Sequence, residues 1–308
     1  MSGIIDVHSH YMPLQVAENT TFFKAHWSDL DRQLNIMDEF GIERSVLLYP
    51  TSDAHLHMGG WQPLARIYNQ EISAVVKKYP TRFVGAGILP VDQPQHFSEE
   101  LKRISDLNLK ILSLASSYEG KFLDDEIFFP VYEFTQKNNV PIHVHPQIMN
   151  PIGEDRVRDP LLTPVLEYVF DVSVCIGKLM MNEVFLKFPD VKFIFAHYGG
   201  VLPIVKERFD NTYQMLRKRG FVKDIKKLPG EYFKNLHFDV SGSKSVASLL
   251  CCLEMVDVSQ ILFGSDFPAN QNLSASLAAI DQSPLSSVQK EQLLRGNFLN
   301  LFPKKVAF

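Results

Sequence analysis

Cysteine is scarce in this chain: Cys175, Cys251 and Cys252 are the full complement, an odd number with two of them adjacent. Such a set excludes a disulfide framework and, lacking C-x-x-C spacing, a cysteine-built zinc site as well. All three lie in apolar, helix-like stretches and read as buried, inert thiols of a protein kept in a reducing cytoplasm. Apolar runs of the roughly 18 residues that a membrane span needs are missing. So is the basic-then-apolar pattern of a secretory leader. A cationic surplus is missing too: 31 Lys and Arg against 35 Asp and Glu leave a net charge of −4. That charge offers no electrostatic footprint for nucleic acid. No Gly-x-Gly-x-x-Gly follows the first apolar run, which weakens a doubly wound, dinucleotide-binding sheet. No internal repeat, low-complexity tract or linker divides the 308 residues, so one domain spanning 1–308 is expected.

What is present is alternation. Near-continuous apolar runs of β type recur at Ile4–His8, Ser45–Tyr49, Arg82–Leu89, Lys110–Ala115, Pro141–His145, Lys192–His197, Leu236–Val240 and Gln260–Gly264. Runs of this kind are expected of parallel strands covered on both faces. Helical patterns fill the gaps: Ser28 caps one that ends at Gly41, and others run over Pro63–Tyr79, Ser98–Leu107, Glu126–Asn139, Tyr168–Phe188, Leu202–Arg219 and Ser245–Met255. Repeated strand–helix alternation predicts an α/β fold, a TIM-type (β/α)8 barrel, with Pro284–Phe308 as a helical extension on its outside. Two connections are too long to be simple turns, Tyr11–Trp27 after the first strand and Pro146–Glu167 after the fifth. Long βα segments sit at the catalytic face of a barrel, so both are expected to wall a substrate site.

Polar residues cluster at the C-terminal strand ends. His8 and His10 end strand one, His145 strand five, His197 strand six and Asp266 strand eight, all on the face where barrels place their chemistry. Spacing of i, i+2 turns the imidazoles of His8 and His10 to one side of their strand. Imidazole with carboxylate suits Zn, Mn or Fe better than Ca or Mg. The other histidines have plainer readings. His143 shares the parity of His145 but lies deeper and is expected to pack inside the barrel. His237 opens its strand and reads as structural, while His55 and His57 fall in a loop after strand two, either solvated or facing substrate.

The runs His8-Ser9-His10, Val144-His145-Pro146, Phe195-Ala196-His197-Tyr198-Gly199-Gly200 and Leu262-Phe263-Gly264-Ser265-Asp266-Phe267-Pro268 resemble the signatures of the amidohydrolase superfamily. Together with the closing Gly296–Phe302 they extend that resemblance over nearly the whole chain. The resemblance is to the amidohydrolase-related branch, which contains metal-dependent decarboxylases of amino-carboxymuconate semialdehyde and of ortho-hydroxybenzoates. It implies a mononuclear site in which His8, His10, His145 and Asp266 hold one divalent ion, Zn ahead of Mn. His197 then serves as the outer acid/base or orienting residue, and a homodimer is expected. The binuclear members bridge their metals from strand four, but here Lys110 opens that strand and Ser113, Leu114 and Ala115 end it, so a second metal is not expected.

For a decarboxylase, the proton needed by the ring carbon is expected from Asp266 on the resemblance; alternatively His197 deprotonates a metal-bound water, a route that suits a hydrolase or hydratase and also an addition-type decarboxylation. For substrate binding, Arg156 and Arg158 can clamp a carboxylate, and solvated loop charges are their plainer reading. Phe22, Phe23, Trp27 and Phe267 can line an aromatic pocket, though each alone suits a core position. The family's substrate-binding arginine near the second unit has no counterpart in Leu34–Gly41, which argues against a dicarboxylate. The resulting expectation is a metal-dependent, non-oxidative decarboxylase of a small, benzoate-like carboxylic acid. A hydrolase or hydratase acting on a lactone, amide or unsaturated acid at the same metal is second, and a binding-only role is a distant third.

Overall fold

The structure, a computed structural model, describes residues 3–21, 25–153, 156 and 159–302. Eight strands form one sheet in chain order: β1 (Ile4–His10), β2 (Ile42–Leu48), β3 (Phe83–Gly87), β4 (Ile111–Ala115), β5 (Ile142–His145), β6 (Phe193–Phe195), β7 (His237–Asp239) and β8 (Ile261–Leu262). Each neighbouring pair is parallel. The sheet closes where the Val7 amide donates to Phe263 at 2.9 Å, Asp266 to His8 at 2.7 Å and His10 to Phe267 at 2.7 Å. Seven helices cross between strands, α1 (Leu30–Glu39), α2 (Trp61–Lys78), α3 (Phe97–Asp106), α4 (Phe129–Asn138), α5 (Tyr168–Met181), α6 (Leu202–Lys218) and α7 (Val246–Leu253), and α8 (Leu273–Asp281) follows β8. The expected (β/α)8 barrel is the observed one.

Period-2 alternation splits the buried side chains into two sets. Leu47, Leu112, Leu114, Ile142, Val144, Phe193 and Phe195 pack outward under the helices, in one cluster with Leu64, Leu101 and Val131. Ile5, Val7, Val46, Leu48, Val84, Ala86, Ile111, Ile194 and Leu262 form a second cluster inside the barrel. Burying a side chain of this kind contributes about 1.5–3 kcal/mol.

The structure departs from the sequence expectations in four places. The cap of α1 is Asp29, whose carboxylate accepts from the Arg32 amide at 2.9 Å, while Ser28 Oγ is buried without a partner. Both residue types can cap, and the chain takes the one that is a residue closer. The long helix expected over Tyr168–Phe188 stops at Met181, because Glu183 takes a left-handed φ of 60°, and a short helix Val184–Lys187 follows. Part of the described C-terminal segment does not lie on the outside. Phe298, Leu301 and Phe302 belong to the inner cluster and plug the barrel end opposite the strand C-termini. Finally, β1 carries one extra residue between Asp6 and Ser9, since Asp6 pairs with Ser45 but Ser9 with Leu47, and an opposite shift between Ile4 and Ile5 restores the overall register. That bulge lets Ile5 and Val7 face the inner core while His8 and His10, two positions apart, still face inward. Among the described residues no helix is long and apolar enough to cross a membrane.

Candidate metal centre

The C-terminal ends of β1, β5 and β8 bring four side chains to one point. His8 Nε2 and His10 Nε2 lie 3.1 Å apart, and Asp266 Oδ1 is 3.4 Å from the first and 3.2 Å from the second. His145 joins them, its ring centroid 4.7 Å from that of His10 and 5.1 Å from that of His8. One ligand atom from each of the four falls within 4.8 Å of all the others. Local contacts decide which nitrogen each ring presents. The His145 Nδ1–H donates to the Pro146 carbonyl at 3.0 Å, and His8 Nδ1 sits 2.9 Å from Asp239 Oδ2. In both rings Nε2 is therefore left for the shared point. Three imidazole nitrogens and one carboxylate oxygen converging as acceptors fit one divalent transition-metal ion and leave room for a substrate atom.

Electrostatics support a cation there. Burial alone would lower His8, but the Asp239 and Asp266 carboxylates outweigh it and push His8 up to about 10. These carboxylates make the surroundings of His8 favourable to positive charge. Burial lowers His10, and His145 is driven well below its ordinary value by burial and by the neighbouring His10 and His8. Burial would raise the Asp266 carboxyl, yet hydrogen bonds from His10 and His8 and the charge on His8 hold it well below the usual range.

Strain marks the same place. Asp266 has φ 60°, and His197 to Gly200 are four consecutive left-handed residues. Two of the four need to be glycine. A Cβ on Gly200 would lie 2.0 Å from the Val169 carbonyl oxygen, and one on Gly199 would lie 2.6 Å from the Phe238 ring. His197 is thereby turned so that its ring centroid lies 5.3 Å from His8 and 5.7 Å from His145, and burial lowers its pKa.

Three of the four convergent groups, His10, His145 and Asp266, line a cavity of about 540 Å³, and His8 is buried behind them. His10, His145, His197 and Asp266 line it together with Trp27, whose ring is 5.7 Å from that of His10, and the walls include Ile148, Val165, Val169 and Ile204. Both long connections contribute, through Trp27 and through Ile148, Pro164 and Val165. Other expected substrate contacts lie elsewhere. Arg156 is exposed and lines a separate groove with Asp171. Phe267 is buried beneath the cavity, with the Arg32 guanidinium 5.7 Å from its ring centroid. Phe22, Phe23 and Arg158 lie outside the described residues.

His143 is fully buried below His145 and donates from Nε2 to Asp239 at 3.0 Å. His55 stacks on Trp61 with centroids 4.6 Å apart, and His57 pairs with Asp53. Cys251 departs from the reading of an inert core thiol: it is half-buried and lines the cavity, whereas Cys175 and Cys252 are buried. Asp239 and Ser241 were not singled out by sequence. Asp239 ends β7 just as Asp266 follows β8, so the strand-end rule that selects Asp266 also selects Asp239. A second group of possible ligand atoms, His8, His197 and Asp239, is occupied by hydrogen bonds. Both Asp239 oxygens are already taken by N–H and O–H donors.

Comparison with known proteins finds relatives over nearly the whole chain. Gamma-resorcylate decarboxylase of Polaromonas sp. (strain JS666 / ATCC BAA-500) is 26% identical over 326 residues, covering 98% of this chain and 99% of its own. The crystal structure of 5-carboxyvanillate decarboxylase from Sphingomonas paucimobilis superposes with a TM-score of 0.87 at 22% identity, over 98% of this chain and 99% of that one. A dihydroxybenzoic acid decarboxylase from Polaromonas sp. JS666, solved with bound manganese and the inhibitor 2-nitroresorcinol, gives a TM-score of 0.82 at 24% identity, over 100% and 98%. A family model described as amidohydrolase matches residues 5–304, and the chain belongs to that family.

Proposed function

We propose that this protein is a metal-dependent, non-oxidative decarboxylase of a small aromatic acid of the hydroxybenzoate class. One observation carries the reading: four inward-facing ligand atoms converge on the floor of a largely apolar cavity of about 540 Å³. That volume lies within the range of small-molecule sites. His8, His10, His145 and Asp266 are the ligands in this reading, and the cation they hold supplies Lewis-acid anchoring of the substrate's carboxylate or adjacent hydroxyl. Zinc and manganese both suit three nitrogens and one carboxylate oxygen, and the Polaromonas structure carries manganese.

The residues divide the remaining work. Trp27 offers a flat wall beside His10 against which a ring can lie. Ile148 and Val169, both half-buried, limit water at the reacting carbon. As the carboxylate departs as carbon dioxide, the ring carbon takes up a proton. We assign that delivery to Asp266, which stands at the point of convergence and, being ionised at rest, would first accept the proton from the acidic substrate or from water before passing it on; orientation of the substrate falls to His197. The same His197 can act as a base on water, which supports the hydrolase or hydratase as the second reading. Substrate contact by Phe23 or Arg158 remains part of the proposal, whereas the separate groove of Arg156 and the burial of Phe267 favour Trp27 over both.

A homodimer accords with the exposed apolar side chains Leu161, Leu162, Leu166 and Phe170, together with Val165 and Ile204, which also line the cavity. The three free thiols accord with the cytoplasm. The deciding experiment is carbon dioxide release by zinc- or manganese-loaded protein from a panel of hydroxybenzoates, with a metal-stripped control. Metal-dependent release supports the decarboxylase. Its absence in protein holding one metal per chain moves the assignment to the hydrolase or hydratase.

A further inference from the structure

Asp239 is the most heavily hydrogen-bonded carboxylate near the centre. Its Oδ2 meets His8 Nδ1 at 2.9 Å and His143 Nε2 at 3.0 Å. Its Oδ1 meets the His197 amide at 3.2 Å, the Ser241 amide at 3.0 Å and the Ser241 hydroxyl. Five surrounding donors keep the carboxylate ionised, and an ionised carboxylate only accepts. Each partner must therefore point a proton at it, which fixes the proton positions around it. His8 carries its proton on Nδ1, and His143 carries one on Nε2. The His143 Nδ1, buried without a partner, is then a bare lone pair rather than an orphaned N–H. The single Ser241 hydroxyl proton goes to Asp239. Ser241 Oγ can then only accept at its 2.8 Å contact with His197 Nδ1, so His197 too carries its proton on Nδ1. Ser241 Oγ also lies 3.0 Å from His8 Nδ1, and there again it accepts.

We propose that Asp239 and Ser241 are positioning residues that set two tautomers at once, turning the Nε2 lone pair of His8 to the metal point and that of His197 to the cavity. Asp239 acts directly on His8 and, through the Ser241 hydroxyl, on His197. It also accepts from the His197 amide, which helps hold that residue in its left-handed conformation. Ordinarily a carboxylate behind a ligating histidine tunes one ligand. Here the carboxylate behind the ligand also aims the side chain facing the substrate. The inference rests on the preceding assignment of His8 as a ligand and His197 as the acid/base or orienting residue.

The test uses the zinc-loaded protein with 15N-labelled histidine. Nuclear magnetic resonance of the ring nitrogens should show protons on Nδ1 of both His8 and His197. Ser241→Ala should leave His8 and zinc binding as they are, shift His197 toward the Nε2–H tautomer, and lower kcat about 10–100-fold with little change in KM. Ser241→Thr, which keeps the hydroxyl, should restore the Nδ1–H tautomer and most of kcat. Asp239→Asn places an amide before two N–H donors. It should weaken zinc about 10–100-fold in a chelator competition. An Nε2–H tautomer of His197 in the unaltered protein would overturn the inference, as would an unchanged tautomer in Ser241→Ala. Absence of decarboxylation would instead overturn the proposed function, since the ring-nitrogen and zinc-affinity readouts need no turnover.

Discussion

Gly242→Ala isolates the placement of His197 from everything else in the centre. Gly242 has φ +76°, and a Cβ there would lie 2.8 Å from His197 Nδ1, 3.4 Å from Cγ and 3.6 Å from Cε1. Comfortable contact begins near about 3.5 Å, so the overlap with Nδ1 is about 0.7 Å. Val240 is tied to β8 through Leu262 and Ser241 to Asp239, so the imidazole is the part that yields. A displacement approaching 1 Å in a group that touches substrate costs about 100-fold in rate. The left-handed alanine costs a further ~1–2 kcal/mol of stability. In a protein of this size that lowers Tm by about 1.5–3 °C. His8, His10, His145 and Asp266 are not in the path of the new methyl, so the protein should still hold one metal per chain. Gly220→Ala is the control: φ is +73° with nothing within 4 Å of its Cβ. It should lose similar stability and keep kcat. The assay is initial-rate carbon dioxide release beside metal analysis and a thermal scan. A kcat for Gly242→Ala within twofold of Gly220→Ala would refute the claim that this wall positions His197.

His8→Ala and Asp266→Asn should each leave a folded barrel with reduced metal and little activity, read by metal analysis and circular dichroism; full activity in either would sink the ligand assignment. His197→Asn should retain the metal while losing turnover, and loss of metal in that variant would make His197 a ligand instead. Burial lowers His237 from its ordinary 6.5 to about 4. The unfolded chain therefore binds the extra proton between those values, and stability present above pH 6.5 is lost as pH falls toward 4. That proton removes about 2 kcal/mol between pH 7 and pH 5. Urea unfolding of His237→Leu should show a correspondingly smaller loss over that interval, and equal losses in both proteins would defeat the assignment.

The legible part of this molecule is the part governed by short-range periodicity. Strand–helix alternation gave the barrel because each parallel strand is buried on both faces and each crossover must bury one helix face. His8, His10, His145 and Asp266 were readable because a polar residue ending an apolar strand has one place to be in a barrel, the C-terminal face. Features set by register or by competition between near-equals were not readable. The extra residue between Asp6 and Ser9 leaves no mark in an unbroken run of strand-forming residues. Ser28 and Asp29 are both competent caps, one residue apart, and hydrogen-bond geometry decides between them. The apolar positions Phe298, Leu301 and Phe302 follow the i, i+3, i+4 pattern of a helix face, but which surface they bury depends on the open end of a barrel that no local pattern describes. Cys251 and Cys252 are neighbours with opposite fates because successive helix positions point about 100° apart, so one reaches the cavity and the other the core. Asp239 belongs to neither group. Its strand-end position was as visible as that of Asp266, and what hid its importance was the identity of its partners. A carboxylate that faces a metal is recognised by the histidines near it in known motifs. A carboxylate that faces the far nitrogen of one of those histidines becomes apparent only when β7 is laid beside β6, with β1 and β5 converging on the same barrel axis.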